Sequence, residues 1–101
     1  LEIASDVFTI ISNFPKTEQY SLVSQLSRCS VSLSSNIAKG SARTDKSFFH
    51  FLDIALGSSF ELETQLIIAC NRNYFDKITL TNIEEKITEF QKMTMSYQNK
   101  L

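Results

Sequence analysis

Apolar residues recur every three or four positions along almost the whole chain. Ile3, Val7, Ile10 and Phe14, with Ala4, Phe8 and Ile11 beside them, predict a first helix over residues 1–14 with a wide apolar face. Pro15 cannot continue that helix but suits the first turn of another, and Glu18 complements the positive end of the helix dipole there. Leu22, Leu26, Cys29, Leu33 and Ile37 then carry a second helix over 15–39, which Gly40 is expected to end in a left-handed conformation. The serines of "SVSLSSN" therefore sit inside a helix whose apolar period is already set, and are not a linker. Thr44 can cap a third helix over 45–72, with Asp45 in its first turn. Phe48, Leu52, Ala55, Ser59, Leu62, Leu66 and Ala69 form its unbroken seam. Leu80, Ile83, Ile87, Phe90, Thr94 and Tyr97 mark a fourth helix over 78–100, capped by Asp76 or by Thr81 with Glu84. Four amphipathic helices with short connections predict an all-α, antiparallel up-down-up-down four-helix bundle, one domain over 1–101. The apolar pattern is already under way at Leu1, so the first helix is expected to be truncated at its N-terminus.

Folding the second helix back on the third about residues 41–44 pairs positions whose numbers sum to about 86. Cys29 then meets Gly57, and Ala55, Gly57, Ser58 and Ser59 make a small-residue waist. The same register brings Arg28 to Glu61 or Gln65 and Asn36 toward His50, as polar locks within the bundle.

Composition supports this architecture and narrows the chemistry. Two glycines and one proline in 101 residues are too few for a many-turned β fold or a glycine-rich nucleotide loop. No apolar run approaches the roughly 20 residues of a membrane span, and no signal segment opens the chain, so a cytoplasmic location is expected. Two cysteines, both inside predicted helices, are read as free thiols. One histidine cannot furnish a di-iron bundle. His50 and Asp53 share a face, but His50 stands among Phe48, Phe49 and Phe51, a packing environment, and no nucleophile-elbow glycine pattern accompanies it. Glu61 and Glu63 point to different faces and make a poor acid/base pair. No enzyme, cofactor or metal is expected.

Two surface features remain. Phe48, Phe49 and Phe51 spread around most of a helical turn, which one core cannot cover, and with Phe60 they are a candidate oligomer interface. The net charge is −1, yet residues 16–46 carry Lys16, Arg28, Lys39, Arg43 and Lys46 against only Glu18 and Asp45. Lys39, Arg43 and Lys46 cluster at the second bend, a candidate phosphate-binding surface, with Lys16 and Arg28 as further members.

"FPKTEQYSLVSQLSRCSVSLSSNIAKG" and "FFHFLDIALGSSFELETQLIIACNRNYF" resemble the four-helix-bundle proteins encoded within intervening sequences of bacterial 23S ribosomal RNA genes. The likeness runs from Phe14 to about Phe75. It departs at Ser27, where a second basic residue is usual, at Ser34 in place of proline and at Lys39 in place of glutamate. The resemblance implies a ring-like homopentamer, and a relation to the accessory proteins of diversity-generating retroelements, which work with RNA and a reverse transcriptase. It implies no established activity. The expected function is thus a non-enzymatic oligomeric bundle, accessory to RNA or a ribonucleoprotein, with self, RNA or a reverse-transcriptase-like protein as partners; the alternative is a protein-binding scaffold.

Overall fold

The structure is a computed structural model and describes residues 2–101; Leu1, where the first predicted helix begins, lies outside the described residues. Four α-helices and one short 3₁₀ turn account for the described fold, and no strand occurs among the described residues. They are α1 (Glu2–Ile11), the 3₁₀ turn Lys16–Glu18, α2 (Leu22–Ser41), α3 (Asp45–Asn71) and α4 (Lys77–Gln98). The molecule measures 42 × 24 × 17 Å, and its long axis matches the roughly 40 Å that 27 helical residues of α3 must span.

The core follows the apolar period. Val7, Leu26, Leu62, Leu66 and Ile87 are fully enclosed, and Ile3, Ile10, Ile11, Phe14, Cys29, Ala69 and Ile83 join them. Phe14 closes one end of the bundle by packing on Tyr74 and Phe75, with ring centroids 5.3 and 6.1 Å away. Ser30 and Ser59 are also wholly buried. Each donates to a carbonyl of its own helix, Ser30 to Ser27 and Ser59 to Leu56, and Gln91 of α4 donates to the Ser59 hydroxyl at 3.1 Å. Small hydroxyls that bond backward along the helix are thus tolerated in its interior.

The helix ends show which local signals operated. Thr44 accepts from the Ser47 amide at 3.4 Å and Asp76 from the Thr79 amide at 2.8 Å, so Asp76 caps α4 and Thr81 lies within the helix. After α3, Asn73 takes φ 64°. The Tyr74 amide reaches back to the Ala69 carbonyl and the Asn73 amide to that of Cys70, a Schellman ending with asparagine in the left-handed position.

Four expectations are corrected. α1 stops at Ile11, where the Ser12 hydroxyl turns back onto the Thr9 carbonyl. Pro15 opens a 3₁₀ turn, and α2 begins only at Leu22, because Glu18 is held by the Ser21 hydroxyl and, at 2.7 Å, by the Tyr74 phenol across the molecule. Gly40 is not a left-handed stop: no glycine has positive φ, and α2 runs through it to Ser41. A Cβ on Gly40 would lie 2.8 Å from both Phe48 Cδ1 and Phe51 Cβ, so its role is to let α3 approach. Finally, Gln25 pairs with Gln65, Cys29 with Glu61 and Ser32 with Ser58, numbers that sum to 90. The register thus differs by four positions, about one helical turn, from the expected sum of about 86, and its pivot falls at residue 45, the first of α3, rather than within residues 41–44. Gly57 is not in the waist: it lies off the buried seam of α3 and is exposed, with nothing within 4 Å of a Cβ placed there.

Candidate functional site

The α2–α3 bend is short because each helix end is locally satisfied. The Arg43 amide bonds the Gly40 carbonyl at 3.0 Å, and Thr44 caps the following helix. Lys39 lies in the last turn of α2, where the negative end of the helix dipole favours a cation. Lys39, Arg43 and Lys46 are all exposed. Arg43 is nevertheless positioned, since its guanidinium carbon stands 5.6 Å from the Phe51 ring centroid, within cation–π range. Lys46 borders an open hollow with Asp45, Phe49 and Leu101.

None of these three cations takes part in an ion pair among the described residues. The ion pairs found are Arg72–Glu18, Lys86–Glu2 and Lys86–Asp6, all away from this bend. The bend therefore carries an excess of positive charge, three unpaired cations against Asp45. Sequence reasoning missed Lys100. Gln98 donates to the Phe49 carbonyl at 3.2 Å and Tyr97 packs edge-on to Phe48 at 5.4 Å, so the C-terminus of α4 arrives at this same end. The expected alternating course of the helices was the signal that could have found it.

Lys16 and Arg28 do not join the cluster. Lys16 stands in the 3₁₀ turn before α2, and Arg28 is exposed eleven residues, about 16 Å, before Lys39 along the helix. Arg28 lies on the Lys39 side of α2, since eleven residues make close to three full turns. The expected Arg28–Glu61 lock does not form among the described residues. Cys29 takes its place: the thiol donates to Glu61 Oε2 at 3.4 Å, with Gln65 Oε1 at 3.7 Å, and Gln65 donates to Gln25 at 2.9 Å. Burial first, and the Glu61 carboxylate next, push the Cys29 thiol up to about 11. Asn36 turns from His50 to its own helix, donating to the Ser32 carbonyl at 2.8 Å and hydroxyl at 3.1 Å. Cys29 and Cys70 are both free and buried.

The four aromatics of the candidate interface divide. Phe48 and Phe51 are half-buried against Gly40, Tyr97 and Arg43, while Phe49 and Phe60 are exposed by nearly half. Ile54, Ile67 and Ile68 are also open on the outer side of α3, so the exposed apolar face runs farther along the helix than the aromatic cluster suggests. The repeat of exposed positions opposite the buried seam was the signal that locates Ile54 and Ile68.

His50 is exposed and meets the Phe51 ring edge-on at 5.9 Å; Asp53 accepts a long contact from Gln98 at 3.5 Å. No three His, Cys, Asp or Glu side chains gather as a metal site among the described residues. No helix of the described residues is long and apolar enough to cross a membrane.

Among solved structures, a protein of unknown function from the S23 ribosomal protein family of Bacteroides thetaiotaomicron superimposes with a TM-score of 0.83. The two are 23% identical, over 96% of this chain and 92% of that one, which is a likeness of fold. No curated protein sequence matches this chain. The family model described as 23S rRNA-intervening sequence protein matches residues 1–96, nearly the entire bundle with its bend, its Gly40 approach and its α3 seam, and the chain belongs to that family.

Proposed function

We propose that this protein is a non-enzymatic, self-associating up-down-up-down helical bundle in the cytoplasm that holds RNA by its phosphates at the α2–α3 bend. The observation that carries the reading is the set of three exposed cations, Lys39, Arg43 and Lys46, without a carboxylate partner, one of them steadied on Phe51. One copy of so small a cluster on a chain of net charge −1 would bind weakly, so the reading requires assembly. The exposed Phe49, Ile54, Phe60, Ile67 and Ile68 of α3 supply an apolar face for it, and a ring of five copies would repeat the basic end fivefold. Paired numbers that fall along α3 as they rise along α2 support the alternating course.

The test is fluorescence anisotropy with a labelled single-stranded RNA over a range of salt, alongside light scattering. Wild type is expected to scatter as a multiple of 11.5 kDa and to bind with a steep salt dependence, each neutralised phosphate adding about 0.7 to the log–log slope. The K39A/R43A/K46A variant should lower that slope by about two per copy engaged while melting as wild type does, since exposed charges contribute little to stability. Unchanged binding by the triple variant refutes the placement. Absence of binding at low salt favours the scaffold reading, which the apolar α3 face also supports.

A further inference from the structure

The sequence reads His50 as packed among its phenylalanines, and the structure places it in solvent. It stands two residues before buried Leu52, hence about 200° around α3, so it faces away from the core that α3 shares with the other helices. Its ring is nevertheless held. It meets Phe51 edge-on with centroids 5.9 Å apart, while the Arg43 guanidinium carbon stands 5.6 Å from the same Phe51 centroid. Arg43, Phe51 and His50 thus form one array of flat groups with a half-buried phenylalanine at its middle.

Charge is ordered along the same side of α3. Lys46 precedes His50 by one turn and Asp53 follows it by three residues, and both are exposed. A phosphate chain crossing the bend is attracted by Lys39, Arg43 and Lys46, against Asp45 alone, and is repelled at Asp53. The chain is therefore turned aside before it can run past His50. What reaches the imidazole from a strand held in this way is a base. Duplex RNA keeps its bases stacked and paired, whereas a single strand can splay one out onto a flat side chain.

We infer that the bend takes single-stranded RNA in preference to duplex, with the sugar–phosphate chain on Lys39, Arg43 and Lys46 and one base stacked on His50. This rests on the phosphate reading of the bend and adds to it a contact that salt does not screen. Every base has a flat face, so the contact selects strandedness and not sequence.

The test is fluorescence anisotropy on the whole chain with a labelled oligoadenylate of about twelve nucleotides, against two competitors: the same strand annealed to oligouridylate, and inorganic polyphosphate, which offers phosphates without bases. Wild type should bind the single strand about tenfold tighter than either competitor, although the duplex carries the denser charge. His50→Ala should lower the ratio of single-strand to polyphosphate affinity about tenfold, and His50→Phe, which keeps a flat ring, should retain it. K39A/R43A/K46A should instead lower the salt slope. If no probe binds at low salt, the phosphate reading falls and this inference with it. If the probes bind with steep salt dependence but equally well, or His50→Ala leaves the ratio unchanged, the phosphate reading stands and the stacking contact is overturned. Loss of the ratio in His50→Phe as well would make the contact one of charge or hydrogen bonding and overturn it too. So would a fall in light-scattering mass for His50→Ala, which would place His50 between copies of the chain.

Discussion

Adding one methyl group should have opposite effects at the two glycines of this chain. Within a helix, alanine is favoured over glycine by about 1 kcal/mol, because glycine has more backbone freedom to lose. Gly57 lies in the interior of α3, exposed, and a Cβ there would meet nothing within 4 Å, so Gly57→Ala should realise a gain of about 0.5–1 kcal/mol. Gly40 is also helical with ordinary φ, but its Cβ would fall 2.8 Å from Phe48 Cδ1 and from Phe51 Cβ, about 0.6 Å inside the 3.4 Å of ordinary contact. Phe48 can rotate only by disturbing its edge contact with Tyr97, and Phe51 Cβ is fixed to the α3 backbone. Relief therefore requires the two helices to separate. Overpacking of this kind costs about 1–3 kcal/mol, which exceeds the propensity gain, so Gly40→Ala should lose about 1–2 kcal/mol net. For a domain of this size that lowers Tm by about 4–8 °C per kcal/mol, while Gly57→Ala should raise it by a few degrees. Thermal and urea denaturation followed by circular dichroism, at several protein concentrations to separate assembly from folding, measures both. A Gly40→Ala protein as stable as wild type would refute the close-approach argument.

Cys29 should alkylate in the native state far more slowly than an exposed thiol at pH 8.5 and normally in urea, read by peptide mass spectrometry; equal native and denatured rates would contradict its burial on Glu61. Its raised pKa makes stability complete below the unfolded thiol value near about 8.5 and lost as pH climbs toward about 11, and C29A should remove that alkaline slope. At the acid end, hydrogen bonds from Ser21 and then Tyr74 hold Glu18 below the usual carboxylate range, against the opposing effect of burial. That contribution is present above the unfolded pKa near about 4.3 and lost as pH falls through the depressed folded value, so E18Q and Tyr74→Phe should flatten the acid limb of Tm against pH. An acid limb identical to wild type in both would sink this reading.

The features legible in the sequence were those decided by neighbours in the chain. The seam of α3 and the cap at Thr44 depend on residues within a turn or so of one another, as does the choice the sequence left between Asp76 and Thr81, and α3 and α4 fall within a residue or two of their predicted bounds. What escaped depends on partners far along the chain. Glycine has one letter for two uses, and only the nearness of Phe48 and Phe51 distinguishes the close approach at Gly40 from a left-handed stop. Glu18 read as a dipole partner for a helix starting at Pro15, until Tyr74, 56 residues away, fixed it in a 3₁₀ turn. Cys29, on the buried face of α2 with Leu26 and Leu33, stands at Glu61 where Arg28 was expected, and Gly57 lies off the buried seam of α3, out in solvent.

The placing of Cys29 rather than Arg28 at Glu61 bears on which charges are free to act. An Arg28 locked to Glu61 would have been a structural cation; exposed and outside the ion pairs found, it lies on the Lys39 side of α2 and extends the positive surface away from the bend. Most carboxylates are meanwhile engaged or gathered elsewhere, Glu18 at the Tyr74 end, Glu2 and Asp6 on Lys86, Glu84, Glu85 and Glu89 along α4, and Asp45 stands at the bend itself. A near-neutral chain thus carries one basic end and one acidic flank. Charge that is segregated without being paired contributes little to folding and much to the choice of partner, which is why K39A/R43A/K46A should register in binding and not in melting.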